Sequence, residues 1–142
     1  MNSDIKTVFD PLRKKEVART PEEEVRQWCI GVLSSSFGVP MHMMMSEASL
    51  RLGGKNFRAD IVVYDRNVRP VAVVECKRPD VVLDADVLDQ VIRYNMVLDV
   101  GYLIITNGHK TFVCRRVVTD GKVSYAFTDN LPDYNTMICQ QQ

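Results

Sequence analysis

The segment between residues 70 and 106 constrains the fold more than any other part of the chain. An apolar run over 70–77 predicts a strand, helical spacing predicts a helix over 85–98, and a second apolar run over 102–106 predicts another strand. A strand–helix–strand segment of this length makes its two strands parallel, through a crossover that is almost always right-handed. The strand at 102–106 is apolar on both faces, as expected for a central strand covered by helices. The segment therefore predicts an α/β fold.

The other predicted elements surround this crossover. Thr20 and Pro21 are typical of a helix start, and Gly38 and Pro40 are typical of its end. The stripe that this helix is predicted to bury comprises Val25, Trp28, Cys29, Val32 and Leu33. Further strands are predicted over 43–52, 59–64, 111–118 and 123–128. The order is αβββαβ with a C-terminal hairpin, which predicts a mixed sheet flanked by helices.

These elements divide the chain into three parts. Residues 1–19 lack a regular pattern and are predicted to form an irregular N-terminal extension. Residues 20–129 contain all the predicted helices and strands and form the folded domain. Residues 130–142 are predicted to be a loose tail. With 142 residues, the chain is most simply a single domain.

Charge and composition limit the function. Lys and Arg together number 18 and so do Asp and Glu, which gives a formal net charge of zero. Proteins that grip a nucleic-acid backbone usually have a basic excess, so the balance disfavours tight non-specific binding. It does not exclude a nuclease, because acidic residues kept for metal ions also lower the net charge. No apolar run approaches the roughly 20 residues of a membrane span, so we expect no membrane partner.

Cysteine and histidine usage bears on localisation and metal chemistry. The four cysteines form no C-x-x-C pair, and the N-terminal residues lack the apolar centre of a signal peptide. Together these features predict reduced thiols in a cytoplasmic protein. The two histidines, His42 and His109, are isolated, which disfavours a zinc site.

Glu75 and Lys77 form a polar pair within the apolar strand at 70–77. Residues two apart on a strand point to the same face, so both side chains project together while Val74 and Cys76 project from the other face. A charged pair is costly to place in a core strand, which favours a site that meets a metal ion or a charged substrate. The alternative is a surface ion pair, and spacing alone does not separate the two.

Asp60 is expected to join this pair. The strands at 59–64 and 70–77 are joined by a short connection, so they should be antiparallel neighbours, with Asp60 beside Glu75. Two carboxylates and the backbone carbonyl of Cys76 form an oxygen-rich set of the kind that Mg²⁺ accepts. Without a cation the carboxylates would repel each other. Lys77 would then lie beside the metal, where it could orient an attacking water or stabilise charge on a phosphate.

The predicted helix over 85–98 presents polar side chains to the same region. Gln90 and Tyr94 are four residues apart and share one helical face, at the edge of the stripe that packs on the sheet. Gln90 can hydrogen-bond a phosphate or a base edge, Tyr94 can hydrogen-bond or stack, and Arg93 can hold a phosphate. The alternative is an amphipathic helix with ordinary boundary residues.

In this order, Asp60, Glu75-Cys76-Lys77 and Gln90-x-x-x-Tyr94 resemble the PD-(D/E)XK nuclease superfamily. More narrowly, residues 9–110 are similar to the N-terminal nuclease domain of type I restriction enzyme R subunits. The segments that carry this narrower resemblance are 9–15, 20–27, 58–64, 74–77, 90–95 and 106–108. The Glu-x-Lys alone is weak evidence, and the ordered set is strong.

The resemblance implies a restriction-endonuclease-like fold and a set of roles. Asp60 and Glu75 would bind Mg²⁺, which Mn²⁺ could replace, and Lys77 would be catalytic. A further metal-side carboxylate would come from the first helix, either Glu22 or Glu23, although both also fit favourable charge at a helix start. Ala59 stands where the superfamily name has proline, a departure that many members share.

The implied function is a metal-dependent endonuclease that cleaves DNA, with restriction-system subunits as partners. The chain has no G-x-x-x-x-G-K-[ST] phosphate loop, so it is expected to be either a stand-alone relative or a fragment of a longer protein. A single site cuts one strand, which makes a homodimer an expectation for double-strand cleavage. The alternative is a non-catalytic nucleic-acid-binding or interaction module with the nuclease fold. The sequence leaves open DNA versus RNA and any cleavage specificity.

Overall fold

A mixed sheet of six strands forms the centre of the protein. The structure is a computed structural model that describes residues 6–52 and 54–140. In chain order, the elements are β1 (Thr7–Asp10), β2 (Lys15–Ala18), α1 (Pro21–Phe37), β3 (Met44–Leu52), β4 (Lys55–Tyr64), β5 (Pro70–Cys76), α2 (Ala85–Asn95), β6 (Tyr102–Thr106), β7 (Thr111–Thr119), β8 (Lys122–Thr128) and α3 (Tyr134–Cys139). Short 3₁₀ turns at Met41–Met43 and Met96–Leu98 precede β3 and follow α2.

The sheet order follows the chain from β3 to β8. Strands β5 and β6 pair in parallel, and the other neighbours pair antiparallel. The helix α2 makes the crossover between the two parallel strands, and Asp84 caps it by accepting the Val87 N–H at 2.9 Å. The predicted αβββαβ order with a C-terminal hairpin is therefore confirmed.

Two apolar layers cover the two faces of the sheet. The layer beneath α1 and α3 includes Ile30, Ile61, Val74 and Met137. The layer beneath α2 includes Val73, Leu88, Val91 and Leu103. Adjacent strand residues such as Val73 and Val74 enter different layers because side chains alternate along a strand. In the described part of the chain, no helix is both long enough and apolar enough to cross a membrane.

The helix α1 begins and ends where its sequence signals indicate. The Thr20 hydroxyl accepts the Glu23 N–H at 3.1 Å, and Gly38 adopts the left-handed conformation, with φ of 70°, that ends the helix. Trp28 departs from the prediction, because its side chain is 47% exposed and Ile30 takes the core position instead. Apolar character alone could not tell which side of the helix Trp28 occupies.

The prediction of an irregular extension over residues 1–19 was wrong for the part that the structure describes. Strands β1 and β2 form an antiparallel hairpin in which Thr7 lies opposite Ala18 and Asp10 lies opposite Lys15. The strands are only four residues long and mostly exposed, so they carry little alternating apolar pattern. The predictions for residues 1–5 lie outside the described residues.

Asp10 ties this hairpin to the sheet. Its side chain is fully buried, and its Oδ2 accepts the Ser46 hydroxyl of β3 at 2.7 Å. Its Oδ1 accepts the Leu12 N–H at 2.8 Å, and the carboxylate also pairs with Arg13. The hairpin is therefore anchored by a buried charge with several donors.

The prediction of a loose tail was wrong over α3. Asp133 caps this helix by accepting the Thr136 N–H at 2.9 Å, and the buried Tyr134 and Met137 join the core beneath α1. The Tyr134 hydroxyl also donates to the Tyr64 carbonyl at 2.8 Å. Six residues are too few to show helical periodicity in sequence. The predictions for Gly53 and for residues 141–142 lie outside the described residues.

The loss of stability on replacing Asp10 should depend on pH. Burial raises the pKa of Asp10, but hydrogen bonds from Ser46, Arg13 and the backbone outweigh it and lower the pKa from 3.8 to about 2. Because the folded-state pKa is depressed, ionised Asp10 stabilises the protein above about pH 4, and this contribution is lost as the pH falls towards 2. We expect Asp10→Asn to lower the free energy of unfolding by about 2 kcal/mol at neutral pH, and by about half as much near pH 3.

Urea unfolding at about pH 7, 5 and 3 measures this difference. The control is Asp129→Asn, which replaces an exposed carboxylate and should leave stability unchanged at each pH. An equal loss at all three pH values would attribute the effect of Asp10→Asn to packing and not to charge.

Candidate functional site

A cavity of about 620 Å³ opens where β5 ends, between the start of α1 and the helix α2. It brings together most of the residues that the sequence singled out. Those predicted residues are Glu22, Asp60, Glu75, Lys77, Gln90 and Tyr94. The cavity is also lined by the polar residues Arg26, Glu47, Arg58 and Asn95. Cys76 and Arg93, which were also predicted, are not among the lining residues.

The pairing of β4 with β5 brings the first two acids together. The registered pairs end with Ile61 opposite Val74, so the next positions along the two strands are Asp60 and Glu75. Beyond the last pair, the Asp60 Oδ2 accepts the backbone N–H of Cys76 at 2.6 Å. A carboxylate that accepts a backbone N–H makes a strong, short hydrogen bond. Asp60 is therefore held beside Glu75 by a side-chain bond that continues the strand pairing.

The two carboxylates are electrostatically unfavourable as they stand. Burial, followed by the nearby Asp60 carboxylate, raises the pKa of Glu75 to about 7, and Lys77 and Asn95 offset this only in part. Burial also raises the pKa of Asp60, although the Cys76 N–H, Arg26 and Lys77 oppose it. Among the described residues, the buried Glu75 Oε1 has no hydrogen-bond partner. A cation between the acids would relieve both the repulsion and the unpaired oxygen.

The side chains of Lys77 and Cys76 project from opposite faces of the sheet at the end of β5. The Lys77 N–H donates to the Thr106 carbonyl at 2.8 Å, which holds the half-buried Lys77 at the end of the β5–β6 pairing. The Cys76 side chain instead lies in the core beneath α1. Its contact with the Cys29 thiol, together with burial, raises the pKa of Cys76, so the thiol stays protonated. Cys76 therefore meets the site through its backbone.

The helix α2 forms one wall of the cavity. Gln90 is exposed, and Tyr94 lies one turn further along the same face. The Tyr94 hydroxyl accepts the Arg58 N–H at 3.4 Å, and its ring meets Phe57 edge-on with 5.6 Å between centroids. Tyr94 is therefore held against β4, the strand that carries Asp60.

Arg93 points away from this wall. Its side chain is 77% exposed, and its Nε pairs with Asp89 at 2.9 Å one turn earlier on α2. Neighbouring residues on a helix project about 100° apart, so Arg93 and Tyr94 do not share a face. The structure does not bring Arg93 to the cavity.

The structure separates the two acids at the start of α1. Glu22 lines the cavity. Glu23 is buried, and its carboxylate accepts hydrogen bonds from Arg13 at 2.7 Å and from Gln27 at 3.0 Å. Of the two candidates, Glu22 is the one that lines the cavity together with Asp60, whereas Glu23 is held by the side chains around it.

Four residues that line the cavity had no assigned role in the sequence. Arg26 and Arg58 had usable signals, since Arg26 lies four residues after Glu22 on α1 and Arg58 lies two before Asp60 on β4. Glu47 and Asn95 are placed by the fold. Glu47 lies in β3, across from the part of β4 that contains Asp60, and no local pattern predicts that register.

Asn95 is fully buried behind Glu75. Its Nδ2 donates to the Val91 carbonyl at 2.8 Å, and its Oδ1 has no partner among the described residues. It also helps to hold down the pKa of Glu75. Asn95 thus positions the inner end of the site.

The described residues contain no group of three acidic, histidine or cysteine side chains close enough to enclose a metal ion. Two adjacent carboxylates with an unpaired buried oxygen nevertheless match the needs of Mg²⁺. This ion is usually held by one or two carboxylates and keeps water in its other positions. A divalent cation held by Asp60 and Glu75 would therefore offset their mutual repulsion and give the buried Glu75 oxygen a partner.

Comparison with models of known protein families identifies the family of this chain. A family model described as "Type I restriction enzyme R protein N terminus (HSDR_N)" matches residues 21–132. The chain belongs to this family. The match spans every residue that lines the cavity, and it confirms the resemblance found in the sequence. No protein with a curated description matches the chain.

Two solved structures are similar to the chain. The first is a candidate nuclease of family DUF820 from Anabaena variabilis ATCC 29413, with a TM-score of 0.50 at 13% identity, covering 100% of this chain and 88% of that one. The second is a chain of the DrdV–DNA complex, with a TM-score of 0.47 at 14% identity, covering 84% of this chain and 12% of that one. The first likeness supports the restriction-endonuclease-like fold that the sequence predicted.

Neutralising Glu75 should stabilise the metal-free protein. The folded-state pKa of about 7 lies above the ordinary value of 4.5, so ionisation costs stability as the pH rises between these values and the cost is complete above them. We expect Glu75→Gln to raise the free energy of unfolding by about 1–2 kcal/mol near pH 8 in EDTA, and to have little effect near pH 4.5. Denaturant unfolding at the two pH values measures the gain.

The control for this experiment is Glu24→Gln on the exposed side of α1, which should not raise stability at either pH. A loss of stability in Glu75→Gln near pH 8 would show that the carboxylate is already compensated in the metal-free protein.

Proposed function

We propose that the protein is a metal-dependent nuclease that hydrolyses phosphodiester bonds in DNA as part of a restriction system. The proposal is carried by one observation, the convergence of Asp60, Glu75 and Lys77 in an open cavity. Membership of a restriction enzyme family and a nuclease-like fold support it. The cavity combines two acids that need a cation with basic and hydrogen-bonding groups suited to a phosphate.

Mg²⁺ is the proposed cofactor, and Mn²⁺ could replace it. Asp60 and Glu75 would hold the ion, and Glu22, which lines the same cavity, and the Cys76 carbonyl are further candidate donors. When bound, the ion would neutralise charge on the phosphate and help to activate water. The chemistry of the donor set supports this choice, because carboxylate oxygens suit magnesium and the site contains no histidine.

The remaining residues would bind and orient the substrate. Lys77 carries a positive charge on a half-buried side chain, which suits it to donate to a phosphate oxygen or to orient the attacking water. Gln90 can donate to and accept from the substrate, and the partly exposed Tyr94 ring can stack on a base. In this proposal water attacks phosphorus, the bond to the leaving ester oxygen breaks, and the water proton passes to solvent or to that oxygen.

DNA is the proposed substrate, and restriction-system subunits are proposed partners, because of the family to which the chain belongs. The chain lacks a nucleotide-binding phosphate loop, so any motor would have to come from another polypeptide or another segment. One cavity can cut one strand at a time. A homodimer would therefore supply the second cut of a duplex.

A second candidate is a nucleic-acid-binding or interaction module that retains the fold without catalysis. The balanced charge of the chain favours the interaction module within this alternative, because proteins that bind a nucleic-acid backbone usually have a basic excess. The intact acid pair and Lys77 favour the nuclease. Calorimetric titration with Mg²⁺ separates the two, because a nuclease predicts binding that disappears in Glu75→Ala.

Cleavage assays test the nuclease directly. We expect the purified protein to cleave plasmid or linear DNA with Mg²⁺ or Mn²⁺, and Asp60→Ala and Lys77→Ala to lower the rate at least about 100-fold, because each removes a group beside the reacting phosphate. Arg69→Gln, at the opposite end of β5, serves as the matched control and should cleave normally. Cleavage that persists unchanged in both site variants would refute the assignment. A parallel assay with RNA decides between the two substrates.

A further inference from the structure

Arg26 is a buried arginine in the wall between two cavities. It is 5% exposed and lines both the site cavity and a neighbouring cavity of about 750 Å³. Among the described residues, its Nε and Nη1 have no hydrogen-bond partner. A buried guanidinium with unpaired donors is costly, so its position implies an anionic partner.

The acids nearest to Arg26 pair with it poorly. Its Nε lies 3.3 Å from the Glu23 carboxylate, and its Nη2 lies 3.4 Å from the Glu47 carboxylate. Charge-assisted hydrogen bonds are normally about 2.7–2.9 Å long, as in the 2.7 Å pair between Arg13 and Glu23. Glu23 also accepts hydrogen bonds from Arg13 and Gln27, so Arg26 shares this carboxylate with two closer donors.

Glu47 bridges Arg26 to a second arginine. Its Oε1 lies 3.4 Å from Arg26 and its Oε2 lies 3.4 Å from Arg58, an exposed residue that also lines the site cavity. One small carboxylate thus spans two guanidinium groups at distances too long for good hydrogen bonds. A tetrahedral phosphate offers more oxygens and suits the planar donors of arginine.

The backbone of Glu47 is also unusual. Its φ is +49°, a conformation that is uncommon for a residue other than glycine, and it lies in β3 between Ser46, which pairs with Ile61, and Ala48, which pairs with Ala59. The side chain is 42% exposed, so it can turn towards solvent without breaking core packing. Strained backbone of this kind is frequent at ligand-binding sites.

We propose that Arg26 and Arg58 bind one backbone phosphate of the substrate strand, and that the Glu47 carboxylate occupies this position in the free protein. The phosphate is a neighbour of the one hydrolysed at Asp60 and Glu75. The inference rests on the proposed nuclease function and deepens it, because it assigns a second phosphate subsite in the same cavity. On binding, Glu47 turns outward and releases both guanidinium groups.

The proposal predicts the direction in which Glu47→Gln changes the affinity for DNA. If Glu47 competes with a phosphate, Glu47→Gln weakens its hold on both arginines and DNA binds more tightly. If Glu47 only braces the arginines, or itself binds the metal, the same substitution weakens DNA binding. The direction of the change therefore separates a competing carboxylate from a supporting one.

Fluorescence anisotropy with a labelled 20-base-pair duplex in Ca²⁺ measures binding, with recovery of intact duplex checked on a gel. We expect Arg26→Gln and Arg58→Gln to raise Kd about threefold to tenfold and each to reduce the slope of log K against log salt, by at most about one because they share one phosphate. Glu47→Gln should lower Kd about threefold. Arg69→Gln, which replaces an exposed arginine at the far end of β5, is the matched control and should change neither quantity.

A neutral methylphosphonate placed at successive positions of one strand locates the phosphate. At one position it should weaken binding by the wild type more than binding by Arg58→Gln, because only Arg26 remains to contact that phosphate in the variant. Circular dichroism checks folding. Because Arg58 is exposed, its variant keeps the test valid if Arg26→Gln fails to fold.

The outcomes distinguish this inference from the nuclease function. Unchanged Kd and salt slope in Arg58→Gln, weaker binding in Glu47→Gln, or no DNA binding by the wild type would overturn the phosphate subsite. A wild type that cleaves DNA while the arginine variants keep their Kd and KM would retain the nuclease and refute the subsite. If the wild-type protein binds DNA through both arginines but never cleaves it, the phosphate subsite is retained and the nuclease function is refuted.

Discussion

The buried encounter between Asp60 and Glu75 is the constraint on which the rest of the site depends. Antiparallel pairing of β4 with β5 brings the two carboxylates together just beyond its last registered pair, and the Cys76 N–H holds one of them there. The positive groups of Arg26 and Lys77 reduce the resulting cost without removing it. Proteins tolerate such local cost mainly where function requires it, because a stable core elsewhere outweighs it. Here the two apolar layers of the sheet supply that core.

A chain of alternating charges links this site to the N-terminal hairpin. Asp10 pairs with Arg13, Arg13 with Glu23, and both Arg13 and Arg26 lie near Glu47 at the cavity. Each side chain in the series is oriented by the next, so the position of Arg26 depends on contacts that begin in β1. The hairpin therefore belongs to the environment of the site, although it contributes no acid that would hold a metal.

The sequence predicted what depends on local pattern and missed what depends on long-range contact. Strand alternation places Glu75 and Lys77 on one side, and helical spacing places Gln90 with Tyr94, so these residues could be grouped in advance. The placement of Glu47 across from the part of β4 that contains Asp60 depends on the β3–β4 register, which no single segment encodes. The same limit applies to Asp10, which is buried against β3 and accepts a hydrogen bond from Ser46, thirty-six residues away in the chain. Short elements such as α3 were missed because six residues cannot display a helical period.

Local charge, and not the net charge of zero, governs how such a cavity meets a polyanion. The lining contains four carboxylates (Glu22, Glu47, Asp60 and Glu75) and three cationic side chains (Arg26, Arg58 and Lys77), so with every group ionised its balance is one negative charge. A divalent cation would change that balance to one positive charge, and an outward turn of Glu47 would raise it further. Attraction of a phosphate backbone would then follow occupancy of the metal site, because the Coulomb energy changes sign with the cation present. Under the proposed function, a protein with no overall basic excess would thus bind nucleic acid at one place, and more tightly when its metal site is occupied.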